Sequence, residues 1–207
     1  MSAEFVAAME DVLDLYAEPY DPQRPVVCFD ETSKQLVAEK RSPIPAKVGR
    51  RERFDYEYQR NGTRNLFMSC EPLAGWRHVE VTERRTMQDF AHQMRWLVDT
   101  AYPEVEKIRV VLDNLNTHKP KTDRWLPKHP NVHFYYTPTH ASWLNEIEIW
   151  FSILWRRALR GGSFTSIGQL RQAITDFTEA YNETAHPFEW KATEVRPKKL
   201  KKTYADL

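Results

Sequence analysis

Three short, almost entirely apolar segments limit how this chain can fold. They are Val26–Phe29, Ile108–Leu112 and Val132–Tyr136. Apolar runs of four or five residues are short for a buried helix and typical of strands covered on both faces. The sequence therefore predicts a central sheet with helices packed on each side. The first two of these strands are followed directly by Asp30 and Asp113.

The segments around these strands have the spacing of helices that each bury one face. Apolar residues recur every three or four positions at about 3–17, 86–101, 144–159 and 165–183. The stripe that we expect to be buried in the first of these helices consists of Phe5, Met9, Val12, Leu13 and Tyr16.

An antiparallel element is predicted between the first strand and the second helix. Residues 54–70 alternate between apolar and polar side chains on both sides of Asn61–Gly62, which favours a β-hairpin with a tight turn there. Residues 71–75 predict a second turn, after which the chain continues extended. The long connection between residues 112 and 132 favours parallel pairing of the strands it joins. The predicted fold class is α/β, with an antiparallel hairpin and parallel central strands flanked by helices on both faces.

The composition excludes several classes of protein. Of the 207 residues, 41% are apolar and 13% aromatic, which excludes a disordered chain. No apolar run approaches the roughly 20 residues of a membrane span, and no signal peptide is evident, so we expect a cytoplasmic protein with no membrane partner. We expect Cys28 and Cys70 to be buried free thiols.

The predicted organisation is an N-terminal helix and linker at 1–24, a catalytic domain at 25–185 and a basic C-terminal tail at 186–207. The net charge of +1 does not decide whether nucleic acid is a partner. A cluster of basic residues in the segment from Lys40 to Arg53 is relevant to this question. It is either a solvated loop or a loop beside the active site that contacts phosphates. Its candidates for the DNA backbone are Lys47, Arg50, Arg51 and Arg53.

Asp30, Asp113 and Glu148 each have an ordinary explanation when taken alone. The two aspartates could close turns, and Glu148 could form a capping box with Asn145. All three, however, are expected at one end of the core, where like charges raise each other's pKa. A divalent cation relieves that repulsion, and Mg²⁺ prefers carboxylate oxygens, water and phosphate. Together the three acids predict a metal site.

Three motifs resemble the catalytic domain of DDE transposases, in the bacterial insertion-sequence branch of the mariner-like superfamily. They are Phe29-Asp30-Glu31, Leu112-Asp113-Asn114 with His118, and the block from Thr137 to Glu148. The resemblance extends from about Pro25 to Tyr181, with 34 residues between Asp113 and Glu148. In the family pattern the acid stands three places after the asparagine, which selects Glu148 and not Glu146.

The resemblance implies a ribonuclease-H-like fold in which Asp30, Asp113 and Glu148 are catalytic and bind two Mg²⁺ or Mn²⁺ ions. The reaction implied is cleavage of DNA at transposon ends and joining of the 3′-hydroxyl to target DNA, usually at TA. Five further residues would orient the carboxylates or contact DNA, or only form loop hydrogen bonds. They are Glu31, Asn114, His118, His140 and Asn145.

The resemblance also implies a homo-oligomer on DNA, associated with the bacterial nucleoid. Family members carry an N-terminal helix-turn-helix region, but here only about 25 residues precede the first catalytic strand. We therefore expect a separate N-terminal segment or reading frame, a truncated copy or an excised domain. Two other functions stay open: a stand-alone ribonuclease-H-like nuclease, which would cut without joining, and a non-catalytic DNA-binding remnant that regulates a full-length transposase.

Overall fold

The computed structural model describes residues 2–41, 43–53, 57–115, 118, 126–184 and 186–187. Five strands form one sheet in the order β3–β2–β1–β4–β5. The elements are α1 (Ala3–Ala17), β1 (Val26–Glu39), β2 (Tyr58–Glu71), β3 (Trp76–Thr82), α2 (Met87–Trp96), β4 (Ile108–Leu112), β5 (Val132–Tyr136), α3 (Ile147–Leu154) and α4 (Ile167–Glu183). Wider π-helical turns extend α2 to Ala101 and α3 to Leu159.

The sheet is mixed, as the sequence predicts. β1 pairs antiparallel with β2, and β2 with β3, whereas β4 lies parallel to both β1 and β5. All five residues of β4 are buried, which explains why its sequence is nearly all apolar. Burying one Val, Leu or Ile side chain stabilises the fold by about 1.5–3 kcal/mol, so the central strands anchor the domain.

Two apolar cores lie on opposite faces of the sheet. One contains Phe29 and packs against α2, and the other contains Cys28 and packs against α1, α3 and α4. Because side chains alternate along a strand, Asp30 and Thr32 lie on the Cys28 face and Glu31 lies on the Phe29 face. The prediction of helices on both faces is confirmed.

The buried stripe of α1 differs from the prediction at one position. Leu13 is 45% exposed, while Val12 and Leu15 are buried. Helical periodicity located the buried face but not which of its two edges is covered. Leu13 and Leu15 lie on either side of the stripe, and it is Leu15 that is buried.

β1 is much longer than its apolar run, and this corrects two predictions. The strand does not end at Asp30 but continues to Glu39, paired with β2. Asn61–Gly62 is not a hairpin turn. Gln35 pairs with Thr63 and Val37 with Arg60, so these two residues form a bulge opposite Leu36. Gly62 has a positive φ of +92°, a backbone conformation that glycine adopts readily and that occurs both in bulges and in tight turns.

Other predictions about this region have different outcomes. The turn at 71–75 and the strand that follows it are confirmed. Phe54 and Tyr56, which we assigned to the hairpin, lie outside the described residues, as do 188–207 of the predicted tail.

Cys28 and Cys70 are free and buried, as expected. No helix within the described ranges is long and apolar enough to cross a membrane.

Candidate active site

Asp30 and Asp113 lie level with each other on neighbouring parallel strands. Cys28 is the register partner of Val111 in the β1–β4 pairing. Continuing that register by two residues brings Asp113, the first residue after β4, beside Asp30 within β1. Adjacent strands are about 4.8 Å apart, so two carboxylates at the same level must interact.

The pKa of Asp30 reflects its closeness to Asp113. Burial and, to a smaller extent, the negative charges of Asp113 and Glu31 raise the pKa of Asp30 from 3.8 to about 7. The backbone N–H of Glu31, which donates to Asp30 Oδ1 at 2.7 Å, and the charge of His118 act in the opposite direction. Asp30 therefore sits in a partly water-excluded, negatively charged position that a cation would stabilise.

His118 connects the ends of the two strands. Its side chain is 1% exposed, with Nε2 2.9 Å from Glu31 Oε2 and Nδ1 2.5 Å from Asp113 Oδ1. Burial lowers the pKa of His118, but the hydrogen bonds to Asp113 and Glu31 outweigh it and raise the pKa to about 9. The ring also stacks against Phe90, at 4.8 Å between centroids. A charged imidazolium thus holds Asp113 and Glu31 in place.

Asn145 positions the start of α3 against β1. Its side chain is buried, and Nδ2 donates to the carbonyl oxygen of Phe29 at 3.0 Å, next to Asp30. Its Oδ1 accepts from the backbone N–H of Ile147 at 3.3 Å. Because Glu146 is the N-cap of α3, the capping box considered for Asn145 and Glu148 does not form. Asn145 therefore fixes where the first turn of α3 meets the sheet.

Glu148 lies in that first turn and is exposed. Its backbone N–H donates to Asn145 O at 3.1 Å, but its carboxylate forms no hydrogen bond or ion pair with a described residue. Within the described part of the chain, no three Asp, Glu, His or Cys side chains are arranged to hold one metal ion. The structure thus brings Asp30, Asp113, Glu31 and His118 together and leaves Glu148 as a separate, unpaired carboxylate.

His140 and Asn114 lie on loops at the same end of the sheet. His140 is exposed and has φ 66, the left-handed conformation that few non-glycine residues adopt. Asn114 is exposed and lines a cavity of about 420 Å³ between the start of α1 and residues 136–139. Neither side chain hydrogen-bonds to another residue that the structure describes.

The basic loop begins far from Asp30 along β1. Lys47, Arg50, Arg51 and Arg53 are exposed in the connection between β1 and β2, where Lys47 bridges Arg50 and Ile44 bridges Arg53. This connection begins after Glu39, nine residues beyond Asp30, and at about 3.3 Å per residue it is roughly 30 Å away along the strand. Because β1 extends far past its apolar run, the loop does not begin beside the acids, and its contact with DNA phosphates stays a prediction.

Comparison of the sequence with protein families shows which family the chain belongs to. The profile of the family described as "DDE superfamily endonuclease" matches residues 25–171, which include Asp30, Asp113 and Glu148. The chain belongs to the DDE superfamily endonucleases. A comparison with curated protein sequences finds no match.

Solved structures similar to this DDE superfamily endonuclease come from the Mos1 mariner transposase. The Mos1 paired end complex with Mn has 15% identity and a TM-score of 0.62, covering 87% of this chain and 56% of that one. The paired-end complex with the left transposon end has 16% identity and a TM-score of 0.63, covering 89% and 59%. The Mos1 catalytic domain has 12% identity and a TM-score of 0.59, covering 87% and 83%.

These likenesses establish the ribonuclease-H-like fold of the chain, in agreement with the prediction. The chain spans between half and three fifths of the Mos1 chains in the two complexes.

Sequence patterns did not reveal the role of Tyr16 in this DDE superfamily endonuclease. Its hydroxyl donates to Leu144 O at 3.1 Å, lies 3.2 Å from Cys28 Sγ and accepts weakly from Glu146 N at 3.5 Å. Burial raises the pKa of Tyr16 far above its ordinary value. Tyr16 therefore joins α1, β1 and the segment before α3. Its place in the helical stripe predicted packing, but no sequence signal indicated these polar contacts.

Proposed function

We propose that this chain is the catalytic domain of a DNA transposase of the bacterial insertion-sequence branch, with the catalytic domain spanning 25–185. It cleaves DNA at transposon ends and joins the 3′-hydroxyl to target DNA at TA. The observation that carries the proposal is the pairing of Asp30 and Asp113 at the centre of the sheet of a DDE superfamily endonuclease. Acids on adjacent rigid strands are suited to a phosphoryl-transfer site.

Asp30, Asp113 and Glu148 are the proposed catalytic ligands of two Mg²⁺ or Mn²⁺ ions. The donor chemistry supports this, since the pKa of Asp30 is raised to about 7 by burial and by neighbouring carboxylates, and a cation would relieve that cost. Glu148 carries a carboxylate that pairs with no described residue, on the helix that Asn145 holds next to Asp30. Bound ions would supply Lewis-acid stabilisation of phosphate oxygens and a more acidic water.

The remaining candidate residues have positioning roles in this proposal. His118 holds Asp113 and Glu31, so that these carboxylates keep one orientation when DNA approaches. Asn145 holds α3 against β1. Asn114 and His140, exposed at the same end of the sheet, are proposed DNA contacts. In these roles the side chains hold carboxylates, helix α3 or DNA in place, and none of them acts as a nucleophile.

DNA is the proposed partner, both as transposon ends and as target. The similar Mos1 structures include a complex with a transposon end, paired end complexes and a complex with Mn, which supports DNA, an oligomer and divalent metal for this chain. We further propose that a separate N-terminal helix-turn-helix segment or reading frame recognises the ends, and that the protein acts at the bacterial nucleoid.

The test uses the purified chain, Mn²⁺ and a high concentration of short DNA duplexes with a free 3′-hydroxyl, so that cleavage and joining do not require the separate segment that recognises the ends. Wild type should give cleaved and joined products. Asp30→Ala, Asp113→Ala and Glu148→Ala should each abolish both products, whereas Glu146→Ala, at a neighbouring acid, should retain much of the activity. Cleavage with no joined product would favour the stand-alone nuclease. DNA binding with neither cleavage nor carboxylate-dependent Mn²⁺ binding would favour the regulatory remnant.

A further inference from the structure

A groove of about 520 Å³ lies between β1 and α3, and no residue in it belongs to the proposed catalytic set. Thr32 and Leu66 contribute from the sheet, and Phe151, Ser152, Trp155 and Arg156 from α3 and its extension. Binding sites for small molecules have volumes of about 300–1,000 Å³, so the groove is large enough for a compact ligand.

Each wall of the groove includes a residue that lies a short distance from one of the acids along the same strand or helix. Thr32 follows Asp30 by two residues on the same face of β1, a displacement of about 7 Å. Ser152 follows Glu148 by one helical turn, about 6 Å along α3. A strand of DNA with its phosphate at the acids would therefore place a neighbouring nucleotide at the mouth of the groove.

The walls combine an aromatic surface with positive charge. Trp155 is 49% exposed although it is large and apolar. Lys34, only 9% exposed, holds its ammonium 4.2 Å from the centroid of the Trp155 ring and donates to Leu159 O at 3.2 Å. Lys34 supports the Trp155 ring without lining the groove, whereas Arg156 lines it and supplies a cation.

No acid is among the residues that line the groove. A guanidinium has five N–H donors, so Arg156, which donates through Nε to Ser152 O, retains capacity for an anion. Tryptophan stacks on any nucleobase, whatever its identity. The groove thus offers a stacking surface for a base and one cation for the adjoining phosphate.

We propose that this groove binds the base and adjoining phosphate of an unpaired nucleotide, one step from the phosphate at Asp30 and Asp113. The nucleotide is unpaired because a base inside a duplex cannot reach a side chain that lines a cavity. This inference rests on the proposed function, since it takes DNA as the substrate at the acids.

The experiment measures binding without divalent ions, so that it does not depend on chemistry. The probes are two DNA duplexes of the same length, one fully paired and one with a single unpaired 2-aminopurine next to its 3′ end. Wild type should prefer the second duplex and quench its fluorescence. Trp155→Ala should lower affinity for the second duplex about tenfold, as expected for loss of one stacked base, and leave the paired duplex within about twofold.

Three further variants make the result specific. Trp155→Phe should restore most of the preference, because phenylalanine still stacks. Trp143→Ala removes another exposed tryptophan, outside the groove, and should keep both the preference and the quenching. Arg156→Gln should reduce the dependence of binding on salt by about one counterion. Thermal unfolding of each variant identifies any that fail to fold.

Equal preference and quenching in wild type and Trp155→Ala would overturn the proposal, as would loss with Trp143→Ala instead. These outcomes are separable from failure of the proposed function. If Mn²⁺-dependent cleavage required the three acids while Trp155→Ala bound like wild type, the groove assignment alone would fall. If no cleavage occurred but the Trp155-dependent preference held, the transposase assignment alone would fall.

Discussion

The side-chain amide of Asn145 donates a hydrogen bond to the carbonyl oxygen of Phe29, the residue before Asp30. This single contact connects the helix that carries Glu148 to the strand that carries Asp30. It is buried, so its loss cannot be compensated by water.

Asn145→Asp should therefore be damaging although it preserves the shape of the side chain. A carboxylate cannot donate to Phe29 O, and the buried carbonyl would lose its partner at a cost of about 1–3 kcal/mol. We expect a lower free energy of unfolding in urea and a loss of Mn²⁺-dependent cleavage. Asn131→Asp is the matched control, because that side chain forms no hydrogen bond with a described residue. Equal stability of the two variants would contradict this role of Asn145.

Replacing His118 should destabilise the chain in metal-free buffer. His118→Phe keeps the packing against Phe90 but leaves Asp113 and Glu31 without their shared cation. Breaking a buried ion pair on one side costs about 3–5 kcal/mol, and the partial exposure of Asp113 reduces this to on the order of 2–3 kcal/mol.

A second substitution tests the cause of that loss. Glu31→Gln added to His118→Phe should recover part of the free energy of unfolding, because one buried charge is then removed. If the effects of the two substitutions were simply additive, His118 and Glu31 would not be energetically coupled.

His78 should contribute stability that is lost at mildly acidic pH. Burial lowers the pKa of His78 from 6.5 to about 4, and its ring stacks on Trp96 at 3.8 Å. Above pH 6.5 the residue is neutral in both folded and unfolded chains. Between pH 6.5 and 4 only the unfolded chain gains the proton, so this contribution to stability is lost as the pH falls.

His78→Phe keeps an aromatic ring at this position and removes the titration. Between pH 7.5 and pH 5, wild type should lose about 2 kcal/mol more of its free energy of unfolding than the variant. Urea unfolding at the two pH values measures both. Parallel pH dependence in wild type and variant would show that His78 is protonated in the folded protein as readily as in the unfolded chain.

The basic loop should contact DNA only at a distance from the cleavage site. At roughly 30 Å from Asp30, it would meet a duplex about nine base pairs away, since the helix rises 3.4 Å per pair. Replacing Lys47, Arg50, Arg51 and Arg53 together by alanine should weaken binding of long duplexes and lower the salt slope by up to about 3–4.

Duplex length provides the control for this prediction. A duplex that ends within about six base pairs of the cleavage site should bind the quadruple variant and wild type equally, because it cannot reach the loop. Weaker binding of this short duplex by the variant would place the loop beside the acids after all.

The sequence predicted those parts of the fold that depend on local pattern. The strands Ile108–Leu112 and Val132–Tyr136 were predicted with their observed bounds, because both are almost entirely apolar runs, although only Ile108–Leu112 is buried throughout. The extent of β1 was not predicted. The five residues after Asp30 are polar, and the rest of the strand pairs only with β2, so its structure depends on a partner distant in sequence.

Gly62 shows why the turn was misplaced. A glycine with positive φ suits a tight turn and a bulge equally, and alternation of polarity is similar around both. At the candidate site, the pattern identified His118 as a residue near the acids. Its bridging of Glu31 and Asp113 could not be predicted, because it depends on the tertiary approach of residues 87 positions apart.

Mn²⁺ binding by isothermal titration calorimetry tests the central claim most directly. Wild type and Glu146→Gln, a matched acid next to the proposed set, should bind Mn²⁺ alike. Asp30→Asn and Asp113→Asn should abolish binding, and Glu148→Gln should weaken it by tenfold or more, since each removes a proposed carboxylate ligand. Unchanged Mn²⁺ binding in Asp30→Asn and Asp113→Asn would contradict the account.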